Sequence, residues 1–151
     1  MHEGRECARN KLKNAKFFSG IYNKSEDLWE EVLSYIDDCY DMDYIETIFL
    51  AGDGANWIKT GLKEIHKTKY VLDRYHLNKH VIKATGHYPK QRSNLWLSLN
   101  QAKIKWVRST FRILSKEAEN EEQKERVKEA RSYIYSNWAG IENFANDSNA
   151  E

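Results

Sequence analysis

Apolar positions recur at helical spacing along most of this chain, and strand-like apolar runs occur at only two places. Residues 26–40 carry apolar side chains three and four positions apart, and Ser25 before them is a suitable N-cap followed by acidic residues. The strand-like runs cover residues 45–51 and 69–72, and the stretch 55–65 between them has the length and pattern of a short helix. The pattern therefore predicts the order helix, strand, helix, strand.

The remainder of the chain is predicted to be helical, whereas the first 24 residues are polar and irregular. We expect three further helices, over residues 74–85, 89–114 and 121–138. Gly86 is suited to end the first of them and Pro89 to begin the second. The buried face of the long second helix is expected to carry Leu95, Leu99, Ala102 and Trp106. Residues 143–151 are small and polar and are expected to fray.

This order of elements predicts an α/β fold that is mostly helical overall. Short links between helix and strand favour two parallel strands joined by a right-handed crossover, with flanking helices. We place this α/β part at residues 1–88 and an all-α part at residues 89–151. Two strands do not make a stable sheet by themselves, so the unpaired sheet edge is a candidate surface for self-association.

Charge is distributed unevenly along the chain. The net charge is only +1, but residues 54–116 carry 14 Lys and Arg against two acids, Glu64 and Asp73. Such a block is typical of a polyanion-binding surface, although the acidic and basic thirds could instead neutralise each other within one fold. We favour DNA as the partner. The basic side chains expected to contact it are Lys59, Arg74, Lys79, Lys83, Lys103, Lys105 and Arg108.

Membrane and disulfide chemistry receive no support from the sequence. A membrane span needs roughly 18 or more consecutive apolar residues, and neither such a run nor a signal peptide is present. Cys7 and Cys39 are far apart and form no CxxC pair, so we interpret them as two reduced thiols. We therefore expect a soluble, cytoplasmic protein without a membrane partner.

Two aspartates follow the predicted strands directly, and strand ends are where ligands and catalytic groups collect in α/β sheets. Asp53 lies between two glycines after the first strand, where its carboxylate could bind a divalent ion or cap the next helix. Asp73 follows the second strand, and His76 lies one helical turn beyond it. That pair could orient the imidazole, hold a phosphate or support a metal, or Asp73 could simply cap a helix. His80, four positions after His76, adds a weak candidate for a two-histidine metal clamp.

The segments around both aspartates resemble a specific family. Residues 52–59 read GDGANWIK and residues 71–79 read VLDRYHLNK. These stretches resemble the ISLre-type insertion-sequence transposases of Gram-positive bacteria, which are also catalogued as an uncharacterised protein family. Their pattern is GDGAxWIK followed by V-L-D-x-[FY]-H-x-x-K. Residues 2–4 and 137–141 are similar to the family as well, so the resemblance extends over essentially the whole chain.

The resemblance implies a DDE-type transposase with an RNase H-like fold. Three acidic residues of such an enzyme bind two divalent ions, Mg²⁺ or Mn²⁺, which activate the attacking oxygen and stabilise the leaving one. Asp53 matches the second of these acids by motif and is the expected metal ligand. Asp73 and His76 match a D-x-x-H element that supports the catalytic site. The helices from Pro89 onward would be the all-α insertion that precedes the third acid.

The chain also departs from the family pattern. The first acid is expected upstream of Met1, and the third, a glutamate followed by Gly-His, is expected beyond Glu151, which has no Gly-His after it. We therefore expect an internal transposase fragment that cleaves no DNA alone. Two alternatives remain open. One is a non-catalytic DNA-binding module that uses residues 54–116, and the other is a small metal-dependent hydrolase that uses Asp53, Asp73 and His76.

Overall fold

The computed structural model describes residues 1–6 and 11–150. Within these residues the chain forms four short strands and seven helices. Their bounds are β1 Arg5–Glu6, β2 Lys11–Leu12, α1 Ser25–Cys39, β3 Ile48–Gly52, α2 Asn56–Glu64, β4 Thr68–Leu72, α3 Arg74–Thr85, α4 Pro89–Asn100, α5 Ile104–Glu117, α6 Glu121–Ser136 and α7 Trp138–Asn146. No helix in this described part is long and apolar enough to cross a membrane. Cys7 and Glu151, which the predictions above include, lie outside the described residues.

A pair of parallel strands forms the α/β part. β3 and β4 pair from Ile48 opposite Thr68 to Gly52 opposite Leu72, and α2 makes the crossover between them. The predicted α/β class, with two parallel strands, flanking helices and a mostly helical remainder, is confirmed. β1 and β2 form a separate two-residue antiparallel pairing in a region predicted to be irregular. Such short strands leave no periodic signal in the sequence, because alternation needs about four residues to be recognised.

The first helix begins one residue from the predicted position. Its N-cap is Lys24, whose backbone N–H donates to the carboxylate of Asp27 at 3.3 Å, and Ser25 is the first helical residue. The hydroxyl of Ser25 instead lies 3.3 Å from that of Thr60 in α2. α1 packs on α2 around Trp29, whose indole N–H donates to the carbonyl of Trp57 at 2.7 Å.

The prediction of one long helix from Pro89 is wrong. The chain forms α4 and α5 instead, and Ala102 between them has a φ of +49°, in the left-handed region. The two helices pack against each other, so apolar residues on both are buried in the same core. Trp106, expected on the buried face, is 51% exposed. The apolar pattern resumes in helical phase after the break, and neither glycine nor proline marks it, which is why the sequence suggested a single helix.

The end of the chain is more ordered than predicted. α6 ends at Ser136, and α7 continues to Asn146, so the first four of the residues expected to fray are helical. α7 lies against β4, where Asn143 donates its side-chain N–H to the carbonyl of Tyr70 at 2.8 Å. A side chain on Gly140 would meet the Tyr70 ring at 2.5 Å and the Leu72 backbone nitrogen at 2.8 Å. Glycine therefore permits the close approach of helix to strand.

The main hydrophobic core joins the two predicted parts of the chain. Tyr70 and Leu72 of β4 pack in one cluster with Leu95 of α4, Phe111 of α5 and Ile134 of α6. A smaller cluster lies between α1, α2 and the start of β3. α3 packs mainly on α6, which brings the later helices against the element that follows β4. The boundary at residue 88 stays a prediction.

Candidate functional site

The parallel pair brings Asp53 and Asp73 to the end of the sheet at which both strands finish, hereafter the carboxylate edge. Gly52 and Leu72 are paired at the ends of β3 and β4, and the backbone N–H of Asp73 donates to the carbonyl of Gly52 at 2.8 Å. Each aspartate is the residue directly after these paired positions. The carboxyl ends of parallel strands meet at the same side of a sheet, so both acids are treated as one candidate site.

Asp53 is exposed and forms a local turn. Its Oδ1 accepts the backbone N–H of Ala55 at 2.9 Å, an interaction between an aspartate and the residue two positions on that stabilises a tight turn. α2 begins later, at Asn56, with Ala55 as its cap and without a side-chain capping bond. The capping alternative for Asp53 is therefore wrong for this helix. Its side chain is exposed and therefore accessible to a ligand.

Asp73 combines two of the roles considered for it. Its Oδ1 accepts the backbone N–H of His76 at 3.0 Å, which caps α3, and also lies 3.3 Å from the ring Nδ1 of His76. Burial raises the pKa of Asp73, but the interactions with His76, together with the backbone N–H of Tyr75, outweigh it and hold the pKa below its usual value. The carboxylate is thus ionised at neutral pH and orients the imidazole.

Two residues from the C-terminal end of α6, Tyr133 and Asn137, contact the turn at Asp53 and Gly54. No feature of the sequence selected either of them for the site. The hydroxyl of Tyr133 donates to the backbone carbonyl of Asp53 at 2.7 Å. Asn137, only 4% exposed, packs so closely on Gly54 that a Cβ there would lie 2.3 Å from its Oδ1. Some 80 residues separate these partners in the chain, so no local pattern could reveal the contact. Asn137 does begin the family-like stretch 137–141.

Aromatic side chains pack close to Asp53 and Asp73. The Tyr133 ring stacks on His80, with centroids 3.7 Å apart, and burial followed by the charges of Asp53 and Asp73 raises the pKa of Tyr133 to about 12. Burial, and then the nearby Lys83, lowers the pKa of His80, so its imidazole is neutral at neutral pH. The Tyr70 hydroxyl donates to the carbonyl of Gly52 at 3.1 Å. The end of β3 is thereby held by two phenol hydroxyls.

The donors present do not make a complete divalent-metal centre. Within residues 1–6 and 11–150, no group of three or more His, Cys, Asp or Glu is arranged to hold a metal ion. The site offers two carboxylates and the imidazole of His76, whereas Mg²⁺ and Mn²⁺ favour a shell of oxygen ligands. A self-contained hydrolase on Asp53, Asp73 and His76 therefore lacks support in the described part of the chain.

The basic residues expected to contact DNA are in different environments. The Arg74 guanidinium lies between the rings of Trp96 and Phe144, 4.9 and 4.7 Å from their centroids, and donates to Asn100 at 2.8 Å. Lys83 pairs with Glu129 of α6. These two cations thus connect α3 to the later helices, whatever else they contact.

The other five expected DNA contacts are less constrained. The ammonium of Lys79 lies 5.3 Å from the ring centroid of Tyr75, and that of Lys103 lies 4.3 Å from that of Trp106. Lys105 and Arg108 are exposed, and Lys59 is half-buried. A DNA contact by any of the seven stays a prediction.

Comparison with known proteins identifies relatives in two bacteria. The chain is 48% identical to the UPF0236 protein TTE0402 of Caldanaerobacter subterraneus subsp. tengcongensis over 149 residues, which is 97% of this chain and 30% of that protein. A relative from the same organism, whose name joins eleven locus labels from TTE0033 to TTE2212, is 46% identical over 97% of this chain and 32% of its own length.

A more distant relative is the UPF0236 protein in the vanSb 3′ region of Streptococcus gallolyticus. It is 29% identical over 153 residues, which is 93% of this chain and 32% of that protein. The chain thus spans about a third of the length of the curated relatives it matches. No solved structure matches it. The profile of one family, described as an uncharacterised protein family, matches residues 1–150, and this chain therefore belongs to that family, UPF0236.

Proposed function

We propose that this chain is the central part of the catalytic region of a DDE-type transposase with an RNase H-like core, which acts in DNA transposition. The observation that carries this proposal is the pairing of Gly52 with Leu72, which brings Asp53 and Asp73 to one edge of a parallel pair. The two motifs around these residues support it. The name of one relative joins eleven locus labels of a single organism, which indicates many copies of its gene. Many copies support the proposal, because an element that moves and copies itself leaves many copies in one genome.

In the whole protein, Asp53 would be a ligand of Mg²⁺ or Mn²⁺. Its exposed carboxylate is accessible to an ion and a phosphate. Asp73 would support the site through His76, which it already orients at 3.3 Å. The divalent ions would supply the activation of the attacking oxygen. Because no group of three metal-ligating residues is assembled among residues 1–6 and 11–150, we propose that this chain alone does not cleave DNA.

A chimera tests the role of Asp53. The segment of relative TTE0402 that matches this chain is replaced by this chain, and excision of a marked DNA element is measured in cells. We expect excision by the chimera, and its fall to background in Asp53→Asn, which keeps the size but removes the charge. Asp43→Asn, in an exposed loop before β3, is the matched control and should excise like the unmodified chimera.

The inactivity of the chain alone has a separate test. Incubation with Mn²⁺ and duplex DNA that carries the element ends should give no nicked product. In the chimera experiment, excision by Asp53→Asn at the rate of the unmodified chimera would show that Asp53 is not a metal ligand. If instead the isolated chain nicks DNA and Asp53→Asn does not, the chain carries a complete catalytic site and the fragment proposal fails.

The second candidate is a non-catalytic DNA-binding module, favoured by the 14 cations in residues 54–116. The chain would then bind duplex DNA by itself, in the cytoplasm, without any metal. Each phosphate contact contributes a slope of about −0.9 to the dependence of log affinity on log salt concentration. Binding that is absent or independent of salt contradicts this candidate, and metal-independent binding combined with an inactive chimera favours it over the transposase.

The open side of the sheet supports a further part of the proposal, self-association. α7 covers the outer edge of β4, whereas among the described residues β3 has no second strand beside it. We propose that the outer edge of β3 pairs with another strand, from a second copy when the chain is isolated.

A further inference from the structure

A basic groove lies between α5 and α6. It has a volume of about 420 Å³ and is lined by Phe111 and Tyr135, with Ser115 and four cations around them. The cations are Arg108, Arg112, Lys116 and Arg131. Three come from α5 at intervals of four residues, which places them on one face of the helix. Arg131 comes from α6, in the acidic last third of the chain, where charge counting along the sequence gave no reason to select it.

These cations are not used in ion pairs. Among the described residues, none of the four has a carboxylate within 4.0 Å, whereas three other cations of α6 each pair with a glutamate. The latter are Lys124, Arg126 and Lys128. The groove therefore carries a concentration of positive charge that no neighbouring carboxylate in the described residues pairs with. Such a concentration of one sign of charge attracts anions.

The floor of the groove is aromatic and lies near two of the cations. The rings of Phe111 and Tyr135 meet edge to face, with centroids 6.0 Å apart. Burial raises the pKa of Tyr135, and the charges of Arg131 and Arg108 oppose that increase, so both guanidiniums lie near the phenol. Positive charges around an apolar floor allow a phosphate and its attached sugar to be contacted together, as in contacts of proteins to a nucleic-acid backbone.

The groove is separate from the edge that carries Asp53 and Asp73. Tyr133, which contacts the Asp53 turn, and Tyr135, which lines the groove, are two positions apart on α6. Residues two apart on an α-helix project to nearly opposite sides, because each residue advances about 100°. A ligand in the groove would therefore leave the carboxylate edge free.

We propose that this groove binds the phosphate backbone of duplex DNA, as a second anchoring surface in addition to the carboxylate edge at Asp53 and Asp73. The proposal rests on the proposed function in its choice of DNA among polyanions. Guanidinium groups suit phosphate because their planar donors bind two oxygens at once. The spacing of three cations along α5 spans two helical turns, roughly 12 Å, which is enough to contact successive phosphates of one strand.

Salt-dependent binding of a fluorescent random-sequence duplex tests the groove. Arg112→Gln/Arg131→Gln removes one cation from each wall, and Arg126→Gln/Lys128→Gln, on α6 outside the groove, removes the same charge as the matched control. Each phosphate contact contributes about −0.9 to the slope of log affinity against log salt concentration, so loss of two contacts in the groove variant should reduce the magnitude of the slope by about 1.8. At 0.1 M salt the same loss weakens binding roughly 60-fold. The control should retain the slope of the unmodified chain.

The substitutions are on exposed side chains, and thermal unfolding verifies that each variant is folded. Should the double variant unfold, Arg112→Gln alone is expected to change the slope by about 0.9. An unchanged slope in the groove variant, or an equal loss in both double variants, overturns the groove. So does displacement of the duplex by free inorganic phosphate at equal ionic strength, because the site would then bind single phosphates.

The failures of the two proposals are distinguishable. If the unmodified chain binds duplex DNA but the groove variant keeps its slope, the groove proposal fails and the proposed function stands. If the unmodified chain binds no duplex at any salt concentration, the groove fails, and the role of Asp53 is then decided by the chimera alone.

Discussion

At the scale of single residues, the Asp53–Gly54 turn is the most constrained point of the site. Gly54 has a φ of +94°, a conformation that side-chain-bearing residues rarely adopt, and Asn137 occupies the space where a Cβ would lie. Tyr133 holds the carbonyl of the preceding Asp53. The position of the Asp53 carboxylate therefore depends on α6 as much as on β3.

Replacing Gly54 with alanine should destabilise the protein. We expect a loss on the order of 2 kcal/mol in the free energy of unfolding, because backbone strain adds to the clash with Asn137. Gly86→Ala is the matched control. Gly86 has helical dihedral angles, a φ of −48° and a ψ of −40°, so alanine there should be neutral or stabilising by up to about 1 kcal/mol. Equal losses for both variants in urea unfolding would contradict this account of Gly54.

The phenol of Tyr133 should make stability depend on alkaline pH. Its pKa is about 12 in the folded chain, above the ordinary value of 10.0, so the unfolded chain loses this proton first. The contribution is fully present below pH ~10 and is lost as the pH rises towards 12. The unfolding free energy of Tyr133→Phe should therefore decline less over this pH range than that of the unmodified chain.

Tyr44→Phe provides the comparison for Tyr133, since Tyr44 is 86% exposed. We expect the unmodified chain and Tyr44→Phe to lose stability in parallel as the pH rises, and Tyr133→Phe to lose less. Chemical denaturation at a series of pH values measures all three. Parallel curves for all three proteins would mean that burial and the two aspartates do not affect Tyr133 as described.

The residues that the sequence could identify were those with a local signature. Asp53, Asp73 and His76 each follow a strand in a recognisable motif, and the structure brings the two aspartates to one edge. Tyr133 and Arg131 have no such signature. Each is one polar residue on an amphipathic helix, and its role depends on what the helix packs against, which single-sequence periodicity cannot specify.

At the scale of elements, the sequence predicted what periodicity determines and missed what packing determines. The bounds of α3 were predicted to the residue, because a capping aspartate begins it and a glycine follows it. The break between α4 and α5 was missed, since Ala102 is not a residue that usually marks a turn. It occurs because the buried faces of both helices pack in one core, which requires the chain to reverse there.

Glycine at position 102 should stabilise this break. A left-handed conformation costs a residue with a Cβ roughly 1–2 kcal/mol, and Ala102 has a φ of +49°. We expect Ala102→Gly to raise the free energy of unfolding by about 1 kcal/mol, after the entropy that glycine gains in the unfolded chain. Ser132→Gly, at an exposed position within α6, should instead destabilise. A loss of stability in Ala102→Gly, measured by urea unfolding, would show that the turn is not strained.

At the scale of the whole molecule, the two lateral edges of the small sheet, the outer sides of β3 and of β4, differ. Residues 70 and 72 of β4 direct their backbone groups away from β3, and α7 covers them, with Asn143 bonded to the Tyr70 carbonyl. On β3, Ile48 and Gly52 bond to the neighbouring strand, so alternation directs the backbone groups of Phe49 and Ala51 outwards. Edges with free donors and acceptors readily accept another strand, so this edge is the surface expected to assemble.

Proline at position 51 tests that expectation. It removes the outward N–H of Ala51 but leaves the bonds between β3 and β4, because proline is tolerated on an edge strand where its nitrogen faces away from the ladder. We expect the unmodified chain to dimerise in sedimentation experiments, and Ala51→Pro to weaken the dimer at least tenfold, roughly the loss of one hydrogen bond of about 1.5 kcal/mol. Ala51→Val is the control, since it keeps the N–H and favours an extended strand, and it should dimerise as before. A chain that stays monomeric, or an Ala51→Pro dimer of unchanged affinity, would mean that the β3 edge does not pair between copies, because strand addition there depends on the outward donor that proline removes.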